Sequence, residues 1–345
     1  MITVIDNITY LLDGEKRTAT VTKSLTPYEG EVVVPATVIS GGAEYVVSDI
    51  LDEAFAGCCA LRSVVLGENV ESVGISSFEG CTALESLHFA GNSGIIGMSA
   101  FKGCTALRSV ALPHSIMVIG REAFAGCTAL ESVALPDNLV NIEPSLFDGC
   151  SSLKSAVIGK ETSSIGEYAF CGCRELAVVE FPAGLLSIEG WAFRDCASLQ
   201  AVELPQGVAS VKKGAFWGCS SLKAFELPQG VNMLDQGVLA NCTSLTDVKL
   251  SEGLLSIGYG AFYNCCSITS VTLPASVVSV GEQAFRSCKA LDELRVLCEA
   301  APMCSGDIAD ADVYGRTMLL VKAGLVGEYG FARVWEKFGN VEEMQ

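Results

Sequence analysis

Cysteine and histidine are the residues of this 345-residue chain best suited to nucleophilic or metal chemistry, and it holds sixteen Cys but only His88 and His114. Eleven of the cysteines, from Cys58 through Cys81 and Cys104 to Cys288, stand at unbroken intervals of 23. Zinc requires converging ligands at short C-x₂₋₄-C spacing, whereas such a ladder spreads its thiols along a line. Stacked strands set them ~4.8 Å apart, beyond the ~3.5–4.5 Å Cβ separation of a disulfide. Free, buried thiols that fill a core column as small apolar groups are therefore expected. The remaining five are Cys59, Cys171, Cys266, Cys298 and Cys304; a Cys298–Cys304 bridge stays open. Free thiols favour a reducing or anaerobic setting. The two histidines occupy different slots of neighbouring repeats and read as surface residues. No G-x-S-x-G, phosphate-cradling glycine loop or Cys–His pair with an orienting third group is present. The expectation is a protein that is not an enzyme, with no catalytic residue, cofactor or metal.

Residues that could recognise a partner are more informative. Glu180, Glu203 and Glu226 share one column, continued by Lys249, and would place like charges on adjacent strands. They form either a solvated acidic face or a docking strip for a basic partner or a weakly held cation. Beside them, Arg62, Glu85, Arg108, Glu131 and Lys154 alternate in sign, as cross-strand support would require, and Ser63 to Ser155 form a small neutral column. Tyr168 and Trp191 share another slot, with Trp217 nearby and Tyr259 and Tyr263 further along. Exposed Trp and Tyr serve as interface anchors and sugar platforms, or they shield a core. The net charge of −18 argues against nucleic acid, which relies on clustered Lys and Arg. No apolar run approaches the ~20 residues that cross a bilayer, so no membrane insertion is expected. Met1 to Thr9 lack a basic start followed by an apolar core, so an export signal is absent or lies outside this sequence.

The elements that must position these residues repeat every 23 residues. Phe recurs from Phe55 to Phe285, with Leu239 at the one exceptional rung; Cys follows three residues later, and Leu (Ile268 once) three after that. The register holds from Val47 to Glu299 without insertion or deletion. Within Ile116–Asn138, Leu130, Val133 and Leu135 form L-x-x-V-x-L, a short strand that Pro136 ends. Ile116 and Ile119 supply a second buried segment, and a short helical turn or 3₁₀ piece is expected from Ala123 and Phe124. The Gly126 slot is Gly, Asn or Asp except at Ser287, which suits a left-handed turn end. One such unit cannot bury enough surface to fold alone, so stacking is required. The pattern predicts an α/β repeat solenoid: eleven repeats over residues 47–299, a β-rich cap over 1–46, and a closing cap over 300–345. That closing cap is expected to hold an apolar segment at Met318–Val321 and an amphipathic helix around Val326–Phe338.

The unit Val277-Val278-Ser279-Val280-Gly281-Glu282-Gln283-Ala284-Phe285-Arg286-Ser287-Cys288-Lys289-Ala290-Leu291 closely resembles the BspA-like branch of leucine-rich-repeat proteins. Thr18-Ala19-Thr20-Val21-Thr22, Val33-Val34-Pro35, Leu319-Leu320-Val321-Lys322-Ala323-Gly324 and Trp335-Glu336-Lys337-Phe338-Gly339-Asn340 resemble its caps. The resemblance implies a right-handed leucine-rich-repeat superhelix with a parallel strand ladder. It further implies a surface or secreted bacterial protein, with a cytoplasmic location as the alternative, that binds a protein or glycan partner. A structural spacer that displays something else is the other reading. A monomer is expected. The resemblance brings no shared catalytic or ligand-binding residues, and the full Cys ladder departs from the family pattern.

Overall fold

The computed structural model describes residues 1–345. The chain forms two compact units, Met1–Pro182 and Ala183–Gln345. Each is a parallel β-solenoid in which one repeat contributes two short strands joined by turns. In the first unit, Ser132–Ala134 buries Val133 and leaves Ser132 and Ala134 exposed, as period-two alternation demands. Its pairing with the next repeat runs Ser132↔Ser155, Val133↔Ala156 and Ala134↔Val157, so each side chain stacks on its equivalent 23 residues away. The second ladder follows the same rule, with Ile95↔Val118 and Ile96↔Ile119.

The third wall differs from the helical or 3₁₀ piece expected at Ala123–Phe124. It is a run of turns in which Ala125 N donates to Glu122 O and Cys127 N to Phe124 O inside one repeat. Between them, Phe124 N and Gly126 N donate to Leu146 O (3.0 Å) and Asp148 O (2.7 Å) of the next repeat. Left-handed backbone at Glu122 (φ 59°) and Gly126 (φ 72°) reorients the peptides and stops a helix from propagating. The Gly126 column is left-handed in every repeat, including Asp195, Asn241, Asn264 and Ser287. The Glu122 column is too, although it holds Ser76, Tyr168 and Trp191. Such residues oppose this backbone by roughly 1–2 kcal/mol each; hydrogen bonding to the adjacent rung offsets that cost.

Behind this wall the Phe rings stack, from Phe55–Phe78 (centroids 4.6 Å apart, 6° between planes) to Phe147–Phe170 (5.3 Å) in the first unit. In the second, Phe193–Phe216 and Phe262–Phe285 repeat the contact at 5.4 Å. Beside them the Cys column does more than fill space. Cys127 Sγ donates to Phe101 O at 3.2 Å, and the same bond recurs from Cys81 (3.1 Å, to Phe55 O) to Cys288 (3.1 Å, to Phe262 O). Phe101 O also accepts from Cys104 N, so both lone pairs of this buried carbonyl are engaged.

The caps continue the ladders and satisfy their ends. Tyr28 occupies the Phe column ahead of Phe55 (4.6 Å), and its hydroxyl accepts from Thr9 N and donates to Thr22 O. The cap strand Ala43–Ile50 runs directly into the second ladder through Asp49↔Ser72 and Ile50↔Val73. At the other end, Met318–Val321 and Asn340–Glu343 extend the first ladder although the 23-residue register has ended. Asp310 replaces the carbonyl of a following repeat: its Oδ2 accepts from Ser287 N at 2.8 Å. Arg316 donates to Cys288 O and Thr317 to Leu291 O, both at 2.7 Å. The single helix expected over 326–338 is instead Val326–Tyr329 followed by a 3₁₀ turn at Trp335–Lys337. Gly330 ends the first, and left-handed Val334 (φ 75°) turns the chain so that Trp335 and Phe338 bury beside Tyr329 and Tyr314.

Candidate functional site

The ladder thiols offer no nucleophile. Burial pushes Cys81 and Cys288 up to about 12, and Cys127 and Cys150 well above the ordinary thiol value, so these groups are neutral donors. All sixteen cysteines are free thiols, Cys298 and Cys304 included. Cys298 Sγ lies against Pro274 O and Val277 O, and Cys304 Sγ against Pro302 O. His88 and His114 are exposed.

The outward face of the strand ladder carries the carboxylates. In the first unit, Glu180 ends the strand Val178–Glu180, exposed and paired with Val157. In the second, the strands Ala201–Val202 and Ala224–Glu226 pair through Ala201↔Ala224 and Val202↔Phe225, which brings Glu203 and Glu226 to adjacent rungs. The next pairing sets Glu226 opposite Lys249, whose ammonium lies 3.6 Å from the carboxylate. Ala201 and Ala224 are short, and a groove of about 360 Å³ opens over them. Glu203, Gln206, Glu226, Asp247 and Lys249 edge it, with Val202, Leu204 and Phe225 beneath. Three carboxylates against one ammonium leave the groove acidic. The alternating column of the first unit forms ion pairs at Lys154–Glu131 (3.2 Å) and Arg108–Glu131 (4.0 Å).

The aromatic residues lie on the turn wall. Tyr168, in the first unit, is half-buried. Trp191 and Trp217, both half-buried in the second, meet edge to face at 5.6 Å. Each lies on a glycine of the following repeat: a Cβ on Gly214 would meet Trp191 Cε3 at 2.2 Å, and one on Gly237 would meet Trp217 Cε3 at 2.8 Å. The Arg194 guanidinium sits 5.3 Å and the Lys213 ammonium 5.6 Å from the Trp191 ring centre.

A family model described as a BspA type leucine-rich repeat region matches residues 48–177 and again 163–292, most of the chain. The chain belongs to this family. No curated protein matches it. Among solved structures it is similar to a leucine-rich repeat protein from Bacteroides ovatus (25% identity, TM-score 0.63, covering 99% of this chain and 100% of that one). It is also similar to a leucine-rich cell surface protein from Faecalibacterium prausnitzii (25% identity, TM-score 0.51, 86% and 94% covered). In this BspA-type chain no helix is long and apolar enough to cross a membrane.

Two features of these surfaces escaped sequence reasoning. Asp247 joins the groove from the column next to the glutamates, that of Ala201 and Ala224, which continues the neutral Ser63–Ser155 column and so gave no hint of a charge. An exposed apolar patch on the second ladder of the first unit gathers Ile75, Ile95, Met98, Met117, Val118 and Val140. Its signal lies in apolar residues that occupy outward slots beside the buried rung of the second ladder.

Proposed function

We propose that this chain is a non-catalytic interaction module that receives a basic protein segment on the strand face of its second unit. The acidic groove over Ala201 and Ala224 carries this reading, because its depth gives a lysine or arginine stem somewhere to lie. Its carboxylates would then hold the cationic head in charge-assisted hydrogen bonds. The paired strands of the second unit hold such side chains on regular backbone, which keeps the ordering cost of binding low. Family membership supports a role in macromolecular interaction, and the description of the F. prausnitzii relative as a cell surface protein supports display at a bacterial surface.

The test is capture from immobilised host-matrix, mucosal and bacterial-surface fractions, with the chain beside its Glu180→Lys/Glu203→Lys/Glu226→Lys variant of matched melting temperature. A partner bound by the first, released by moderate salt and lost from the second is the expected outcome. Failure of both to capture anything would favour a spacer that displays other elements.

A further inference from the structure

The turn wall of the second unit carries an aromatic and basic patch, none of whose residues line the acidic groove. Trp191 and Trp217 meet edge to face at 5.6 Å, and Gly214 and Gly237 are the residues that let them lie close to the backbone. Both indoles remain partly exposed. Arg194 and Lys213 stand over Trp191, and Lys212, next to Lys213 in sequence, lines the adjoining groove, on a chain whose net charge is −18. Arg194 is paired with Asp195 (Nε to Oδ2, 3.2 Å) while its guanidinium also lies by the Trp191 ring. Lys212 and Lys213 are exposed and form no ion pair; the Lys213 ammonium is held instead by the face of Trp191. From Lys212 a shallow groove continues along the second ladder past Ser210, Asn232 and Met233 to Asp235.

We propose that this patch binds an acidic saccharide, one bearing carboxylate or sulfate groups. Each part of that ligand has a counterpart. The apolar face of a sugar ring packs on the exposed part of the Trp217 indole, whose amphipathic body is suited to a surface that is apolar on one side and wet on the other. The anionic substituent meets a guanidinium and two ammonium groups, of which Arg194 and Lys213 are already oriented by Trp191. Ser210 and Asn232 offer hydroxyl and amide groups to the ring hydroxyls along the groove. A single-stranded nucleic acid fits less well. It would need cations following successive phosphates along a groove, whereas here the groove carries the single cation Lys212 and ends at Asp235.

Tryptophan fluorescence of the full chain reads the site directly, since the third indole, Trp335, is fully buried in the C-terminal cap and gives a constant background. Oligogalacturonate and heparin-derived oligosaccharides, titrated separately, distinguish carboxylate from sulfate; maltohexaose and oligothymidylate are the comparisons. The expected result is a saturable, salt-sensitive change with at least one acidic oligosaccharide and none with maltohexaose. Lys212→Glu/Lys213→Glu, which keeps both indoles, should abolish the response, and Trp217→Ala should weaken binding about tenfold, as loss of one aromatic contact implies. Should Trp217→Ala fail to fold by circular dichroism, the charge-reversal variant decides alone. No response to either acidic probe, an equal response to maltohexaose or oligothymidylate, or binding that survives charge reversal would overturn the proposal.

Discussion

The Cys column shows how one residue type serves two purposes. Each thiol fills a core position, and those of Cys104, Cys127 and Cys150 also donate to the second lone pair of a buried Phe carbonyl, as Cys265 does to Leu239 O. The first purpose was legible from sequence, because an apolar slot and a 23-residue interval are visible there. The second was not, because the acceptor is backbone and lies 26 residues away. These thiols make stability depend on pH. Their folded pKa lies above the ordinary 9.0, reaching about 12 at Cys81 and Cys288, so the folded chain favours the protonated form. Stability should be full well below pH 9 and fall as pH rises from 9 toward 12, because the unfolded chain releases thiol protons that the folded chain retains. Urea unfolding across that range should show a steep fall, and Cys127→Ala/Cys150→Ala should make that fall shallower. An unchanged slope would contradict a protonated ladder. Ser77 offers the converse case: its hydroxyl is fully buried without a hydrogen-bond partner, in a column otherwise mostly Ala. Ser77→Ala should raise stability by about 1 kcal/mol in the same assay, and a loss would reveal a partner for that hydroxyl.

At the scale of the element, the turn wall combines what sequence reveals with what it hides. The Gly126 column announced a left-handed backbone through its Gly, Asn and Asp residues, and the structure has that conformation in every repeat. The Glu122 column gave little sign, since only Gly214, Gly237 and Gly260 in it favour such backbone and Glu, Ser, Tyr, Trp and Gln do not; the hydrogen bonds of the next rung impose it. The short helical piece expected there was misjudged for the same reason. Two glycines of one repeat should therefore differ in their response to a methyl group. Gly126→Ala meets nothing nearer than 3.7 Å and suffers only from φ +72°, a cost of roughly 1–2 kcal/mol. Gly120→Ala would bring Cβ to 2.4 Å from Met98 N on the preceding rung, where backbone must move. Gly120→Ala should be the more destabilising in urea unfolding; the reverse order would contradict the close approach of these rungs. The C-terminal helix was overextended because amphipathic spacing runs through Gly330, and the chain's turn at Val334 follows from burying Trp335, a tertiary demand.

At the scale of the molecule, a stack of rungs is only as good as its ends, since the last rung offers unpaired backbone groups and an uncovered core. Asp310 closes that end through Ser287 N and Arg286 (Nε to Oδ1, 3.3 Å). Asp310→Ala should cost about 1–3 kcal/mol, and Asp310→Asn should recover much of it because the amide oxygen still accepts; equal losses would assign the effect to charge rather than to the cap. The repeating core is written plainly in the sequence, whereas the acidic groove is not: its small floor at Ala201 and Ala224, the contribution of Asp247 and the neutralising reach of Lys249 emerge only when columns lie side by side. The strand face of the second unit is where the interaction role stands or falls. The decisive measurement is hydrogen exchange of the chain, free and bound to a captured basic partner. Slowed exchange confined to residues 201–206, 224–226 and 247–249, and absent when Glu203→Lys/Glu226→Lys is mixed with the same partner, is the predicted result. Protection elsewhere with those strands unchanged would contradict a strand-face site.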